Sequence, residues 1–394
     1  MGFPGAASWL LAAAAIAGTV YQAASAVLVR RLVARTPAPP AESPPVTLLK
    51  PLCGDEPWLE ANLRSFCEQR YPDVQIVFGV HTGDDPALAV AERLRRELPQ
   101  ADISVVVGRG RPRDGNPKVA NLIDMLPAAR HDILVLSDSD MAVGPDFLSA
   151  VVATLQEPGV GVATSLYVGR PAGGIWSRLG AMGINHGFLP AVAVATAIGR
   201  DDGCFGATIA LRRDTLAAVG GLESLREQLA DDYLLGAAVR AHGRSIGLVP
   251  YLPRSAVHEA DAASLFAHEV RWGRTLGSID GAGYAASLVT LAVPMGVLAL
   301  AAGWAAGSAG ESGGAVAGAL SLVAALLGRL WAVRSEERSL ELERQPAWLV
   351  MARDLLSFAV QAVALSGRTV SWRGRRFRIG RHGVLIPLGE SPRP

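Results

Sequence analysis

The sequence offers little with which to build a thiolate metal site. Its three cysteines, Cys53, Cys67 and Cys204, are scattered, with no CxxC spacing and no matching histidine pairs, which argues against structural zinc. So few thiols suit a reducing compartment. Net charge is also nearly absent: the balance is +1, so a nucleic-acid footprint over the whole chain is excluded. No apolar strand-like run leads into GxGxxG or a P-loop. That disfavours a Rossmann dinucleotide site and an NTPase.

Apolar residues, by contrast, make up half of the 394 positions, which points to a membrane protein. Trp9 to Val29 contains no charge. A helix there can cross a ~30 Å hydrocarbon core, which needs about 20 residues. Arg30, Arg31 and Arg35 come directly after it, and no Ala-x-Ala cleavage pattern appears, so an uncleaved anchor is expected. The positive-inside rule then places the chain beyond Arg30 in the cytoplasm. Pro37 to Pro45 reads as an extended linker. Two further apolar blocks run from Ala285 to Gly307 and from Gly313 to Val333. The link GSAGESGG between them lacks basic residues and reads as outside; Arg329, Arg334, Arg338 and Arg344 read as inside. Ala347 to Ser366 is apolar enough to cross but contains Arg353 and Asp354. Crossing would also export Arg368, Arg373, Arg375, Arg376, Arg378 and Arg381. An interfacial or re-entrant segment, with the basic tail on anionic head groups, is preferred; a fourth spanning helix is the alternative.

Residues 46 to about 275 alternate short apolar runs with helical patterns. VTLLKPL, VQIVFGVH, ISVVVG, DILVLSD and VGVATSLYVG read as strands. EPWLEANLRSFCEQ, PALAVAERLRREL and PDFLSAVVATLQ read as helices. The alternation implies an α/β fold with a mostly parallel sheet, which binds ligands beyond the carboxyl ends of its strands. The chain thus reads as three parts: an anchor and linker over 1–45, a catalytic domain over 46–280, and C-terminal membrane helices with a basic tail over 281–394.

Carboxylates stand at two such strand ends: Asp84 and Asp85 after VQIVFGV, and Asp138 and Asp140 after DILVL. In Asp-x-Asp on extended chain both side chains point the same way. One can hold a hard divalent cation such as Mg²⁺ or Mn²⁺ while the other takes a ribose. A solvated turn, or an N-cap for the helix after Pro145, fits the same residues. Asp231 and Asp232 open a helix, where they could simply meet its dipole. Lys118 can touch a diphosphate or be solvated. His258 and His268 can be metal ligands or ordinary histidines. The stretch around Trp176 and His186 can line a lipid pocket or form a core helix.

The order of these motifs resembles that of lipid-directed, family-2-like GT-A glycosyltransferases. The resemblance is closest to ceramide glucosyltransferases and the related bacterial hopanoid-biosynthesis glycosyltransferases. It rests on Asp84, Asp138-Ser139-Asp140, Asp231-Asp232-Tyr233 and His268-x-x-Arg271-Trp272, with membrane helices after them. Leu49-Lys50-Pro51-Leu52, Asp84-Asp85-Pro86, Asn116-Pro117-Lys118-Val119-x-Asn121, Cys204-Phe205-Gly206, Gly220-Gly221-Leu222 and Trp372-Arg373-Gly374-Arg375-Arg376-Phe377 fit the same group.

The resemblance implies a GT-A catalytic domain between N- and C-terminal transmembrane helices, in an integral protein of a bacterial inner membrane with its catalytic domain cytoplasmic. The donor would be a UDP-sugar and the acceptor a lipid hydroxyl. Asp84, with Asp85, would contact uridine. Asp138 would meet the diphosphate, and Asp140 would take Mg²⁺ or Mn²⁺. Asp232 would be the general base. Arg271, with Lys118, would steady the leaving group. Trp272 and His268 would lie on the acceptor side. His268 stands where the family usually has Gln or Arg, which puts that position's role in question. The second aspartate of the middle motif favours the bacterial branch, hence N-acetylglucosamine or glucose moved to a bacteriohopanepolyol, with ceramide as the alternative acceptor. A processive polysaccharide synthase would need more than three membrane segments to form a channel. A degenerate, non-catalytic membrane protein would not be expected to keep this set of residues.

Overall fold

The computed structural model describes residues 3–108, 115–200, 203–307, 313–372, 375–380 and 384–388. Residues 308–312 of the expected external link, Arg373, Gly374 and Arg381 lie outside this set. In chain order the elements begin with α1 (Phe3–Val33), β1 (Val46–Pro51), α2 (Leu59–Cys67), β2 (Val74–Val80), α3 (Ala87–Glu97), β3 (Asp102–Val107), α4 (Pro117–Met125), β4 (Ile133–Leu136) and β5 (Met141–Ala142). Then come α5 (Phe147–Leu155), β6 (Val160–Thr164), β7 (Val168–Pro171), α6 (Ile175–Gly183), α7 (Leu189–Ala197), β8 (Ile209–Arg212), α8 (Arg213–Ala218), α9 (Asp231–Ala241), β9 (Ser245–Leu248) and β10 (Arg254–Val257). The last are α10 (Ala262–Ile279), α11 (Gly281–Ala286), α12 (Ala292–Gly307), α13 (Gly313–Ser339), α14 (Ala347–Leu365), β11 (Thr369–Trp372), β12 (Arg375–Ile379) and β13 (Leu385–Pro387).

The chain divides into two compact units. One comprises Arg35–Ala181 and Gly199–Glu259; the other comprises Met1–Ala34, Met182–Ile198 and Ala260–Pro394.

The first unit is built on a seven-stranded sheet in the order β3-β2-β1-β4-β8-β6-β9. β3, β2, β1 and β4 pair in parallel, and β8 alone runs against its neighbours. Every residue of β1 and of β4 is buried, as expected of central strands covered on both faces. One apolar cluster joins α2, α3 and α5 to one face, and a second joins α4, α8 and α9 to the other. The run VGVATSLYVG does not form one strand. β6 ends at Thr164 in the main sheet, and β7 pairs with β10 in a separate sheet of order β5-β10-β7. Thr164 bonds out of its strand, its Oγ1 accepting from Phe205 N at 2.9 Å and donating to Thr208 O at 2.9 Å.

The second unit gathers the long apolar helices. α1, α12 and α13 pack together so closely that a Cβ on Gly303 would fall 2.4 Å from the Gly314 carbonyl oxygen. Ser8 of α1 hydrogen-bonds the carbonyls of Ala299 and Gly314 at 3.0 and 2.9 Å. Among the described residues four helical segments are long and apolar enough to cross a membrane: Gly5–Val33, Ile175–Ala197, Gly313–Ser339 and Ala347–Leu365. Gly281–Thr290 and Ala292–Gly307 make a fifth if counted as one span, bent by 72°. Ile175–Ala197 therefore adds a candidate to the three expected segments, and its residues from Met182 onward group with the terminal helices. Apolar composition alone does not separate a buried core helix from a membrane helix.

Candidate active site

β1 and β4 are parallel neighbours, so their carboxyl ends open on one rim of the sheet. Beyond β4 the chain turns through Ser137-Asp138-Ser139-Asp140 into β5. Ser255 of β10 donates to Asp140 Oδ2 at 2.7 Å, and Ser139 donates to Glu56 Oε2 at 2.6 Å. The turn is held from beneath by Lys50 of β1. Lys50 is fully buried, stands 3.6 Å from the centre of the Phe66 ring, and donates to the Asp138 main-chain carbonyl at 2.5 Å.

A second lysine reaches Asp138 from α4. Asn116 caps that helix, accepting from Lys118 N at 3.0 Å and Val119 N at 3.3 Å, and Pro117 takes the first helical position. Gly115 just before the cap has φ 88°, and a Cβ there would lie 2.2 Å from the Arg226 carbonyl oxygen, so only glycine fits. The cap fixes Lys118 in the first turn, where its Nζ lies 2.6 Å from Asp138 Oδ1. The Asn116 amide donates to Asp231 Oδ1 at 3.0 Å and ties α4 to α9.

Asp232 completes the group. Its Oδ2 accepts from Gly206 N at 2.9 Å and its Oδ1 from Tyr233 N at 2.7 Å. Gly206 is the meeting point: a Cβ there would lie 3.1 Å from Lys118 Nζ, 3.4 Å from Asp232 Oδ2 and 3.6 Å from Asp138 Oδ2.

Burial and crowding set the electrostatics. Desolvation, then the Asp138 charge, push the Asp140 carboxyl up to about 7 against the Ser255 hydrogen bond. Desolvation pushes Asp231 up to about 6, with Lys118 opposing. Asp232 is raised for the same reason, held back by Lys118 and by its two main-chain donors. Burial works against the Lys118 charge, but Asp138, Asp231 and Asp232 outweigh it and hold that pKa above the usual lysine value. The Tyr167 phenol is raised by burial and then by Asp140, Asp138 and Asp232, so it faces the same carboxylates.

Asp138, Asp232 and Lys118 are thus brought together, and Asp140 stands two residues along the same turn. Asp84 lies exposed in the turn after β2, its carboxyl held below the ordinary value by a hydrogen bond from Thr82. Asp85 Oδ1 accepts from Gly54 N at 2.9 Å and Ala87 N at 3.0 Å, which links the loop after β1 to the start of α3. His268, Arg271 and Trp272 lie on α10, in the other unit; there the His268 and Trp272 rings meet edge-on at 4.5 Å.

Among the described residues no three His, Cys, Asp or Glu side chains form a metal cage. Two mutually repelling carboxylates, Asp138 and Asp140, nonetheless suit a divalent cation that draws its remaining ligands from a diphosphate. Lys50, Gly206 and Ser255 were not expected in the site. One sequence signal marked the first: of 37 basic residues only two are lysine, and both hold Asp138.

The family model for glycosyl transferase family 21 matches residues 10–385. Ceramide glucosyltransferase 1 of Caenorhabditis elegans is 26% identical over 234 residues, which are 58% of this chain and 49% of that protein. Ceramide glucosyltransferase of Komagataella phaffii is 36% identical over 122 residues, 30% of this chain and 24% of that protein. The chain therefore spans half or less of the curated relatives it matches. A mannosyltransferase of Pyrobaculum calidifontis, solved with GDP-Man and Mn²⁺, superposes with a TM-score of 0.52 at 19% identity, covering 90% of this chain and 98% of that one. At that identity the likeness speaks to the fold: the sheet order above is a GT-A-like arrangement.

Proposed function

The chain belongs to glycosyl transferase family 21, and on that premise we propose that it moves a sugar from a UDP-sugar to the hydroxyl of a membrane lipid, with inversion at the anomeric carbon. The observation that carries this reading is the convergence of Lys118, Asp138 and Asp232 around Gly206. Asp232 takes the proton of the attacking hydroxyl, and burial raises its pKa above the ordinary carboxylate value, which makes it a stronger base than a solvated aspartate. Lys118 meets charge that builds on the departing diphosphate. With one base and no enzyme nucleophile, the reaction is a single displacement.

Mg²⁺ or Mn²⁺ would be held by Asp140 with Asp138 beside it, and when bound it supplies a Lewis acid for the diphosphate. Asp84 contacts the uridine, with Asp85 shaping the loop beside it. The roles given to Arg271 on the leaving group, and to Trp272 and His268 on the acceptor side, rest on the sequence motif alone. The catalytic unit works in the cytoplasm at a membrane surface, a bacterial inner membrane in this reading.

For the acceptor, the motifs favour a bacteriohopanepolyol receiving N-acetylglucosamine or glucose. The names of the relatives favour ceramide. The test is to incubate the purified protein in nanodiscs with Mg²⁺ or Mn²⁺, a panel of UDP-sugars, and bacteriohopanetetrol or ceramide, and to identify products by mass spectrometry. A glycosylated hopanoid supports the first acceptor, and glucosylceramide the second. Failure to bind any UDP-sugar would overturn the donor reading of Asp138 and Asp140.

A further inference from the structure

The loop after β1 carries a residue that its own backbone disfavours. Trp58, in the N-cap position of α2, has φ 59°; among the described residues only Glu341 shares a positive φ outside glycine. A bulky side chain is strained there, whereas glycine is not. Trp58 also makes no side-chain hydrogen bond to the helix, where asparagine would cap it and tolerate the backbone. Nor is it a core residue, since it is 42% exposed. Its contact is with Arg170, itself exposed, whose guanidinium carbon lies 4.5 Å from the centre of the Trp58 ring. Backbone strain of this kind gathers at ligand sites.

Two routes tie this pair to the Asp138–Asp140 turn, all within the first unit. Glu56, two residues before Trp58, accepts from Ser139 at 2.6 Å, between the two aspartates. Two residues of chain span at most ~7 Å. Arg170 of β7 pairs with Ala256 of β10, and Ala256 N donates to the Asp140 main-chain carbonyl at 2.8 Å.

The loop also has an order. Gly54 is tied to Asp85, next to Asp84 on the uridine side. Glu56 is tied to the turn that would meet metal and diphosphate. Trp58 follows. A UDP-hexose carries its parts in the same order: uridine, diphosphate, sugar. Asp84, Lys118, Asp138 and Asp140 account for the first two, and the third falls to Trp58 and Arg170. A pyranose ring offers a face of C–H groups and an edge of hydroxyls. An indole suits the first, and a guanidinium, with five donors in a fixed fork, suits the second.

We propose that Trp58 and Arg170 form the subsite for the donor hexose, the indole stacking on the pyranose and the guanidinium donating to its hydroxyls. This deepens the UDP-sugar reading above and rests on it.

The test is equilibrium binding to the full chain in nanodiscs with Mn²⁺, using UDP, UDP-glucose and UDP-N-acetylglucosamine as probes. Trp58→Gly should weaken at least one UDP-sugar about tenfold or more and leave UDP unchanged. Its Tm should hold or rise, because glycine relieves the backbone. Trp58→Phe, which keeps a ring, should bind that sugar better than Trp58→Gly does, and Arg170→Lys, which loses the fork, should bind it less well than the wild type. Equal weakening of UDP and UDP-sugar in Trp58→Gly, or no weakening of either, overturns the subsite while the wild-type binding keeps the donor reading. If Trp58→Gly instead raises only the KM for the lipid, the ring serves the acceptor and the subsite falls. If wild-type protein binds neither UDP nor a UDP-sugar, the donor reading and the subsite fall together.

Discussion

Lys50 and Asp138 are joined without their charges meeting: the ammonium donates to the Asp138 main-chain carbonyl at 2.5 Å, while the Asp138 carboxylate turns to Lys118, 2.6 Å away. Lys50 thus holds the turn and leaves the carboxylate to face the rim. Burying a cation without a close carboxylate is costly, and an apolar replacement of similar length often leaves stability unchanged or raised. Lys50→Met should therefore keep or raise Tm while lowering kcat/KM for the donor at least tenfold. Lys50→Arg should not rescue it, because a planar fork does not fit where a compact ammonium is packed. Full activity in Lys50→Met would remove this role.

Stability should pass through a minimum near neutral pH in protein free of donor and metal. Asp140 at about 7 and Asp231 at about 6 keep their protons in the folded state after the unfolded chain has lost them near 3.8. Their contribution is full below that pH and disappears as pH rises through 6 to 7. Lys50 acts oppositely: burial lowers it from 10.5 to about 7, so its contribution grows as pH rises over that interval. Thermal unfolding from pH 4 to 10 reads both limbs. Asp140→Asn should flatten the acid limb; an unaltered limb contradicts the assignment.

Asp232→Asn should lower kcat by 10²–10⁴, about the range for loss of a general base, and leave UDP binding intact. In the wild type, kcat should fall on the acid side as the raised Asp232 carboxyl takes up its proton. Near-wild-type turnover in the variant would exclude this base.

Gly206→Ala places a methyl 3.1 Å from Lys118 Nζ and 3.4 Å from Asp232 Oδ2. A lysine end can swing aside, so the protein should fold, with Tm changed by only a few degrees. Displacing Lys118 from Asp138 should cost about tenfold in donor KM. An unchanged KM would mean that the close approach at Gly206 is incidental.

The sidedness of α14 can be read with single cysteines. Arg353 and Asp354, the charges that argue against crossing, are both buried and paired, so the helix is chemically able to span. It packs chiefly along α10, a more polar helix, and Arg368 and Arg378 lie beyond its end. Glu343→Cys and Ser366→Cys should therefore label from the same side of the membrane. Labelling from opposite sides would make α14 a span.

The parallel half of the sheet was legible because β1 to β4 are mostly apolar runs set off by turn residues, and because Asp138 and Asp140 stand directly at a strand end. The break between β6 and β7 was not, since Ser165-Leu166-Tyr167 carries no glycine or proline to mark it. Lys50 reads as a stray charge inside an apolar run until β4 is laid beside it. Ser255 reaches Asp140 from 115 residues away, and Arg353 meets Glu269 across 84. Such pairings depend on the path of the whole chain, which local pattern does not carry.

The hydroxyl of Ser8 finds its two carbonyl partners 291 and 306 residues further along the chain. At ~5–20 residues per second, a ribosome needs roughly 15–60 s to deliver them after the first helix has emerged. Through that interval α1 must wait in the bilayer with its polar atoms served by other groups. Assembly of the helical unit is thus the closing event of synthesis, and a chain stalled before residue 314 would leave its first helix as bait for quality control.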